Sequence, residues 1–212
     1  MRSTPRIITP ILLFAILTTL LGCSVKQFAV NKIGDALASG GTTFSSDNDP
    51  ELVRQAVPFS LKLIESLLAE TPKHRGLLLA ASSGFTQYAY AFVQQDAERI
   101  EDRDFAEAER LRERARKLYL RGRDYGLRGL ELKYRGITAA LREDPRAAMR
   151  KVTADDVPLL YWTAASWGAA ISISKDDPEL IADQAVPSKW RMAPCRPVAQ
   201  MSRGPVQAML CG

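Results

Sequence analysis

Histidine is almost absent from this chain, and a phosphate-binding loop is missing. His74 is the only histidine, which excludes a histidine-rich metal site and gives no support to a histidine-based catalytic triad. The glycines at 40–41 follow Ser39 but lack the lysine that reaches the phosphates in a nucleotide-binding loop. The sequence therefore predicts no catalytic residue, metal ligand or cofactor, and nothing in it requires an enzyme.

The chain has one long hydrophobic run, at residues 7–21. Two arginines precede it and Cys23 follows it, which is the order of a secretory signal with a cysteine at the cleavage point. The pattern resembles the bacterial lipobox, so we expect residues 1–22 to be a signal peptide and Cys23 to carry a lipid anchor. The alternative is an uncleaved membrane helix, but the run is shorter than the ~20 residues that a span needs. Ser24 favours the outer membrane, on the periplasmic face of the envelope.

The positive charge of the chain is concentrated at its two ends. The formal net charge is +5, of which two arginines lie in residues 1–22 and four basic residues, without any acid, in residues 184–212. Residues 24–183 therefore carry a net charge of −1. No surface of one sign is implied, so the charge gives no support to a nucleic-acid partner.

Residues 184–212 differ in composition from the rest of the chain. They hold four of the twelve prolines and two of the three cysteines, Cys195 and Cys211, and show no helical periodicity. Two interpretations stay open: a disordered basic tail, or a shifted reading frame or premature end, which we favour. The two cysteines can pair in an oxidising compartment, but with Cys23 lipidated they form no framework of disulfides.

Residues 23–48 are expected to form a lipidated N-terminus with a short helix and a linker, and residues 49–183 a helical domain. Asp49 as N-cap and Pro50 at the first helical position mark a helix start. The apolar residues that follow recur at spacings of three and four, which predicts one buried face, and Pro58 predicts a kink. That face consists of Leu52, Ala56, Phe59, Leu63 and either Ser66 or Leu67.

A second helix is predicted from about Arg75 to Gln95. It has no charged residue after Arg75, so we expect it to be buried nearly all round or to line a cavity. His74 lies in the turn before it and is expected to be a solvent-facing cap.

Two more helices are predicted after the charged segment at 96–104. The longer one begins at Asp104, which with Glu107 resembles a capping box. Its small residues, Ala115, Gly122 and Gly129, permit close approach of a neighbouring helix, and tight packing should offset the cost of the glycines. Another helix runs from about residue 156 to residue 174, where the acidic pair at 155–156 is explained by capping.

Two features point to an internal repeat of helical pairs. The segment at 49–52 recurs at 177–180, so two helices share one start. Ala115, Tyr119 and Gly122 fit the spacing of small and aromatic residues in the second helix of a tetratricopeptide unit. Other spacings are too irregular for a strict repeat. The predicted fold is all-α, a degenerate tetratricopeptide-like helical repeat or α-solenoid.

Uncharged aromatic and amide side chains are dense at 85–95 and at 158–168. An aromatic stripe at helical spacing is usually core, and that interpretation stays open. Tyrosine and tryptophan also carry polar groups, which suits a mostly apolar pocket with a few orienting hydrogen bonds. The candidate ligand-binding or pore-lining residues are Gln87, Tyr88, Phe92, Tyr161, Trp162 and Trp167.

These two segments, together with residues 49–54, 118–126 and 174–180, strongly resemble the T component (TatT) associated with tripartite ATP-independent periplasmic (TRAP) transporters. The resemblance runs from about residue 30 to residue 183 and includes the lipobox. It implies a periplasmic lipoprotein of tetratricopeptide-like helices, assembled as a homotrimer, if the C-terminal part is intact, with a pore through each subunit. It also implies docking of the transporter's substrate-binding protein and transfer of a hydrophobic small ligand. Family members continue with further helical repeat beyond the position of Asp183, where this chain departs from them.

The sequence therefore favours a lipid-anchored, non-enzymatic accessory protein of a TRAP-type uptake system. Its role would be to hold a periplasmic substrate-binding protein and to shelter an apolar solute between carriers. The alternative, from a different class, is a tetratricopeptide-like scaffold lipoprotein for envelope protein assembly, which binds peptide segments and carries no small ligand.

Overall fold

The computed structural model describes residues 28, 30–37, 46–174 and 178, and every element in this part of the chain is a helix or a turn. The predicted all-α class is therefore confirmed. The predicted signal peptide, Cys23 and the tail at 184–212 lie outside the described residues.

Eight α-helices occur in the described ranges. α1 covers residues 30–37, α2 Pro50–Glu70, α3 Arg75–Tyr88, α4 Gln95–Ile100, α5 Phe105–Glu131, α6 Ile137–Glu143, α7 Pro145–Met149 and α8 Val157–Ser172. A π-helical turn, Ala89–Gln94, joins α3 to α4, and a 3₁₀ turn, Ala154–Asp156, precedes α8. Among these helices none combines the length and the apolar character that crossing a bilayer demands.

Three of the helix starts that the sequence predicts, those of α2, α3 and α5, are confirmed by their caps, whereas the start predicted at Asp177 lies outside the described residues. The Asp49 carboxylate accepts from the backbone N–H of Glu51 and Leu52 at 3.0 and 3.1 Å, which satisfies two N–H groups at the start of α2. Asp104 accepts from the Glu107 N–H at 3.0 Å at the start of α5. His74 caps α3 in the same way, through Nδ1 and the N–H of Leu77. The predicted exposure of His74 is wrong, because α1 covers its side chain and leaves it 11% exposed.

The buried face of α2 is not the one that the sequence predicts. Leu61, Ile64 and Leu68 face the core, whereas Leu52 and Phe59 are 55% and 73% exposed. α3 decides this choice, because its Gly84 leaves room for a side chain: a Cβ at Gly84 would lie 2.7 Å from Leu61 Cδ2. α2 continues as one helix through Pro58.

The second predicted helix is interrupted where the sequence shows no break. α3 ends at Tyr88, and the N–H of Ala89 points at the carbonyls of both Phe85 and Thr86. The π-helical turn that follows takes up one extra residue and shifts every later side chain around the helix axis. The helical path then continues to Ile100, five residues beyond the predicted end.

Helix α5 packs between α3 and α8 through its glycines. A Cβ at Gly122 would lie 2.8 Å from Thr86 Oγ1, and one at Gly129 would lie 2.7 Å from a methyl group of Leu159. The predicted close approach at Gly122 and Gly129 is confirmed. Gly126, which was not predicted, makes the tightest contact, against Thr163. The succession of antiparallel helices is consistent with a degenerate tetratricopeptide-like repeat.

The segment between α5 and α8 holds two short helices that the sequence analysis missed. Gly136, with φ of 77°, precedes α6, and the left-handed region favours glycine. Asp144 accepts from the N–H of Ala147 at the start of α7. Both helices pack against the core around Trp167 through the side chains of Ile137, Leu141 and Ala148. Each helix is too short to produce a clear apolar period, which explains the omission.

Candidate functional site

The first predicted aromatic segment lies at the π-helical turn. Tyr88 is 9% exposed, and its ring centroid lies 5.5 Å from that of the half-buried Phe92, at an interplanar angle of 50°. Gln87 is exposed and donates from Nε2 to the Ser83 carbonyl at 3.3 Å. Because π-helical turns occur often at functional sites, this turn is a candidate site on backbone geometry as well as on composition.

An ion pair from α2 covers this aromatic pair. The guanidinium carbon of Arg54 lies 4.8 Å from the centroid of the Phe92 ring. Its Nη2 donates to Asp96 Oδ1 at 3.1 Å, so the cation is held above the ring by two carboxylate contacts. The hydrogen bond to Asp96 raises the pKa of Arg54 further above its ordinary value. The π-helical turn is therefore covered by a guanidinium group that stays charged and is paired with the Asp96 carboxylate.

A buried tyrosine lies beneath the turn. Tyr119 of α5 is fully buried and its hydroxyl donates to Gln94 Oε1 at 2.6 Å. Burial raises the pKa of Tyr119 far above its ordinary value, so the hydroxyl remains a neutral donor at physiological pH. The aromatic position of the tetratricopeptide-like signature thus fixes the end of the π-helical turn.

The second aromatic segment lies on α8 and divides into two environments. Tyr161 and Trp162 are half-buried and make an edge-to-face pair with centroids 5.0 Å apart. Trp167 is fully buried in a cluster with Leu130, Leu141 and other apolar residues. The guanidinium groups of Arg123 and Arg142 lie 5.5 and 5.6 Å from the centre of its ring system. Trp167 therefore packs in the core, and the half-buried pair is the accessible part of this segment.

The two aromatic pairs lie at different levels of the bundle. Thr86 of α3 faces Gly122, whereas Thr163 of α8 faces Gly126, one turn further along α5. Trp162 is next to Thr163 and so lies toward the end of α5. Phe92 lies six residues after Thr86 and so lies toward the start of α5. The structure therefore brings together the members of each pair but does not join the pairs around one pocket.

Hydroxyl groups fill the crossing of α3, α5 and α8 between these levels. The Thr86 hydroxyl donates to the Ser82 carbonyl at 2.6 Å, and the Thr163 hydroxyl donates to the Leu159 carbonyl at 2.6 Å. Ser166 does the same toward the Thr163 carbonyl at 2.9 Å. Since Gly122 and Gly126 are in contact with these side chains, the crossing has no room for a solute. A ligand that meets both aromatic pairs would have to pass outside this crossing.

A buried carboxylate, which the sequence analysis assigned only to capping, lies in a network of polar contacts. Asp156 accepts from Lys133 Nζ at 2.9 Å, from the Tyr134 hydroxyl at 2.6 Å and from the Thr153 hydroxyl at 2.6 Å. Arg75 of α3 also pairs with it. Burial alone would raise its pKa, but the hydrogen bonds from Lys133, Thr153 and Tyr134 hold the pKa well below the ordinary value. The sequence signal was weak, because only Thr153 is close in sequence, whereas Arg75, Lys133 and Tyr134 come from distant positions.

An open depression of about 500 Å³ lies at the end of the bundle where α5 finishes. Its lining is Pro72, Asp124, Leu127, Arg128, Glu131, Leu132 and Thr138. None of the predicted aromatic residues belongs to it. The depression is shallow and three of its seven lining residues are charged, which fits a surface contact better than an enclosed small ligand.

Comparison with known proteins identifies relatives of this chain. A family model described as TRAP transporter T-component matches residues 46–189, from just before α2 to beyond α8. An uncharacterized protein of Treponema pallidum (strain Nichols) is 34% identical over 181 residues, which cover 76% of this chain and 56% of that protein. The chain thus spans little more than half the length of this relative. Because the family model covers more than half of the chain, the chain belongs to the TRAP transporter T-component family.

Proposed function

We propose that this protein is a non-enzymatic accessory of a TRAP-type transport system, held on the periplasmic face of the outer membrane by a lipid on Cys23. The observation that carries the proposal is the family match over residues 46–189. The lipid anchor is supported by the signal-like sequence at 1–22 that ends at the cysteine. In this role the protein binds the periplasmic substrate-binding protein and a hydrophobic small ligand, and a homotrimer is its proposed assembly.

The ligand contacts in this proposal come from the accessible aromatic residues. Phe92, Tyr161 and Trp162 are half-buried, so each offers part of a ring to a bound molecule. Tyr88 packs against Phe92 from the buried side, whereas Trp167 belongs to the core cluster and offers no ring surface to a ligand. Gln87 is exposed beside Tyr88 and supplies an amide for orientation.

A second candidate function, a scaffold that binds protein segments without a small ligand, is favoured by the outer face of α2. Leu52 and Phe59 are 55% and 73% exposed, and Leu63 follows one turn later at 36%. Three large apolar side chains in one stripe are typical of a surface that contacts another protein. The same stripe also serves the first proposal, as a contact for the substrate-binding protein.

Binding measurements with purified proteins distinguish the two candidates. In the accessory role, the full chain binds the TRAP substrate-binding protein of the same organism, and calorimetry gives a dissociation constant. Phe59→Asp should weaken that binding by about tenfold or more, because it puts a charge into the apolar contact. Ala69→Asp, at an exposed position near the end of the same helix and away from the apolar stripe, is the control. Absence of binding by the unsubstituted protein would favour the scaffold role.

The lipid anchor is tested by replacing the cysteine. Cys23→Ser should abolish incorporation of a labelled fatty acid and leave the unprocessed precursor, because only a thiol forms the thioether that permits cleavage. The control is Ser24→Ala, which leaves the thiol in place. Undiminished label on the Cys23→Ser protein would contradict the assignment.

A further inference from the structure

Helix α1 leaves apolar side chains exposed on its outward side. Phe28, which is also helical, is 63% exposed and Ile33 is 52% exposed. Lys32 and Ala36 are exposed as well. At 100° per residue these four positions fall within one half of the helix circumference. Asp35 borders this side, is 60% exposed and lies 3.8 Å from Lys32 Nζ. The outward side of α1 is thus an amphipathic surface that carries one ion pair.

The opposite side of α1 is held against the start of α3. A Cβ at Gly34 would lie 2.9 Å from His74 Nε2 and 3.0 Å from a methyl group of Leu77, so the two backbones are close. The same His74 nitrogen lies 3.3 Å from Asp35 Oδ1 and 3.4 Å from the Asn31 carbonyl oxygen. These contacts fix which side of α1 faces away from the bundle.

The end of the bundle that carries α1 is basic. Arg75, next to His74, pairs with Asp156, which binds Lys133 at 2.9 Å. The segment that links α5 to α8, residues 131–156, holds six basic and five acidic residues, of which Asp156 is buried and paired. Most of its cations are exposed, and so are two on the neighbouring elements. The exposed cations of this basic end include Lys73, Arg128, Lys133, Arg135, Arg150 and Lys151.

The other end of the bundle is acidic. Residues 96–110, around the start of α5, hold seven acidic and three basic residues. α5 separates the two ends by about 40 Å, since each of its 27 residues rises 1.5 Å. Along α5 the described residues therefore run from an acidic end to a weakly basic end, although as a whole they are close to neutral. Such an asymmetry of charge orients a protein at a surface of one charge.

We propose that the end formed by α1 and the basic segment rests on an anionic phospholipid surface. The proposal rests on the lipid anchor proposed above, because the five residues from Cys23 to Phe28 span at most ~18 Å and keep α1 near the bilayer. Phe28 and Ile33 enter the interface, and the stem of Lys32 follows them with its amine toward the headgroups. The large aliphatic residues of α6, Ile137 and Leu141, are buried, so α6 and α7 contribute mainly charge. The proposed anchor at Cys23 favours a bilayer over an acidic protein surface, because it holds the apolar side of α1 within ~18 Å of the lipid.

Spin labels on the lipidated full chain test this orientation. Ile33→Cys and, as the matched control near the acidic end, Tyr90→Cys are labelled in a Cys195→Ser, Cys211→Ser background. Both chains are reconstituted into phosphatidylcholine vesicles with and without phosphatidylglycerol. Oxygen concentrates in lipid and the nickel chelate stays in water. In anionic vesicles the label at 33 should therefore collide more often with oxygen than with the nickel chelate, whereas the label at 90 should collide with both as a label in water does. A label at 33 as aqueous as the label at 90 would overturn the proposal.

Charge reversal supplies the second arm. Arg135→Glu with Lys151→Glu should expose the label at 33 to the nickel chelate in anionic vesicles. The ratio of molecules whose basic end rests on the lipid to molecules whose basic end is away from it should fall by on the order of tenfold or more. Arg103→Glu with Arg114→Glu, at exposed positions nearer the acidic end, is the control and should leave the label unchanged. Protection of position 33 from both reagents would indicate a protein partner or a second copy and would also overturn the proposal. If the unsubstituted chain fails to float with vesicles, the lipid anchor itself is wrong and the proposal falls with it.

Discussion

The guanidinium of Arg75 pairs with the buried carboxylate of Asp156 and so joins the start of α3 to the start of α8. Lys133, two residues beyond the end of α5, binds the same carboxylate. Three helices that are distant in sequence therefore meet at one charge. An aspartate at a predicted helix start is normally a cap, and here it is also the link that sets how the helices meet.

Asp156→Asn should lower the free energy of unfolding by about 2–4 kcal/mol, because it removes the negative charge from a buried site and leaves the cations of Arg75 and Lys133 without their partner. The folded-state pKa of Asp156 is depressed, so its stabilising effect is present above the unfolded pKa of about 4 and is lost as pH falls through the folded value. Urea unfolding at pH 7 and pH 3 measures this. The difference between the two proteins should be full at pH 7 and smaller at pH 3.

Asp155 provides the matched control. It is exposed, and a surface carboxylate contributes little. Asp155→Asn should change the free energy of unfolding by less than about 0.5 kcal/mol. Equal losses for the two substitutions would show that Asp156 acts only through the end of the helix and not as a link between helices.

Gly126→Ala tests the crossing of α5 and α8. A Cβ at this position would overlap the Thr163 side chain and lie 3.0 Å from Ser82 Oγ. Although alanine favours a helix by ~1 kcal/mol over glycine, the overlap should make the variant less stable by about 1–3 kcal/mol. Thermal unfolding measures the loss.

A double-mutant cycle with Thr163→Ala assigns that loss to the contact. Thr163→Ala removes the hydroxyl in the overlap, so the doubly substituted protein should be more stable than the sum of the two single changes predicts. Strict additivity would place the cause elsewhere in α5.

The helix starts could be predicted from the sequence because capping is local. Asp49 and Asp104 each bond to N–H groups two or three residues away, and that spacing can be seen in the chain itself. The all-α class follows from the same local signals and from the apolar periods. The close approach at Gly122 was predicted for a similar reason, since a small side chain on a helix needs a neighbour.

The choice of face on α2 and the role of Asp156 could not be predicted, because both depend on partners from distant parts of the chain. α2 carries two apolar stripes, and the one that includes Leu61 is buried only because Gly84 of α3 accepts it. The π-helical turn has no local breaker, since residues 85–95 contain neither glycine nor proline. The six candidate ligand residues were selected by type. Which of them are accessible depends on packing, which hides Trp167 and leaves Trp162 half exposed.

The two stripes of α2 should respond differently to truncation. Leu61→Ala should cost about 2–5 kcal/mol of unfolding free energy, because Leu61 is 4% exposed and the change leaves a cavity against α3. Phe59→Ala should cost less than about 0.5 kcal/mol, because Phe59 is 73% exposed. Chemical unfolding of the two variants measures both values. A large loss of unfolding free energy for Phe59→Ala would show that the buried face of α2 is the one that the sequence predicts.

Variants of Trp162 and Trp167, which lie on the same helix, distinguish a residue that contacts ligand from one that packs in the core. Trp167→Ala should cost about 3–5 kcal/mol of unfolding free energy, since its ring is fully buried. Trp162→Ala should cost less, because the ring is half exposed and loses fewer contacts, but it should weaken binding of a fatty-acid-like or indole-like probe by several-fold. The measurements are the unfolding free energy and the quenching of the remaining tryptophan fluorescence by the probe. Unchanged probe affinity in Trp162→Ala and in a matched Phe92→Ala variant would refute the ligand site on these aromatic residues and leave the scaffold role, for which the exposed stripe of α2 is the contact.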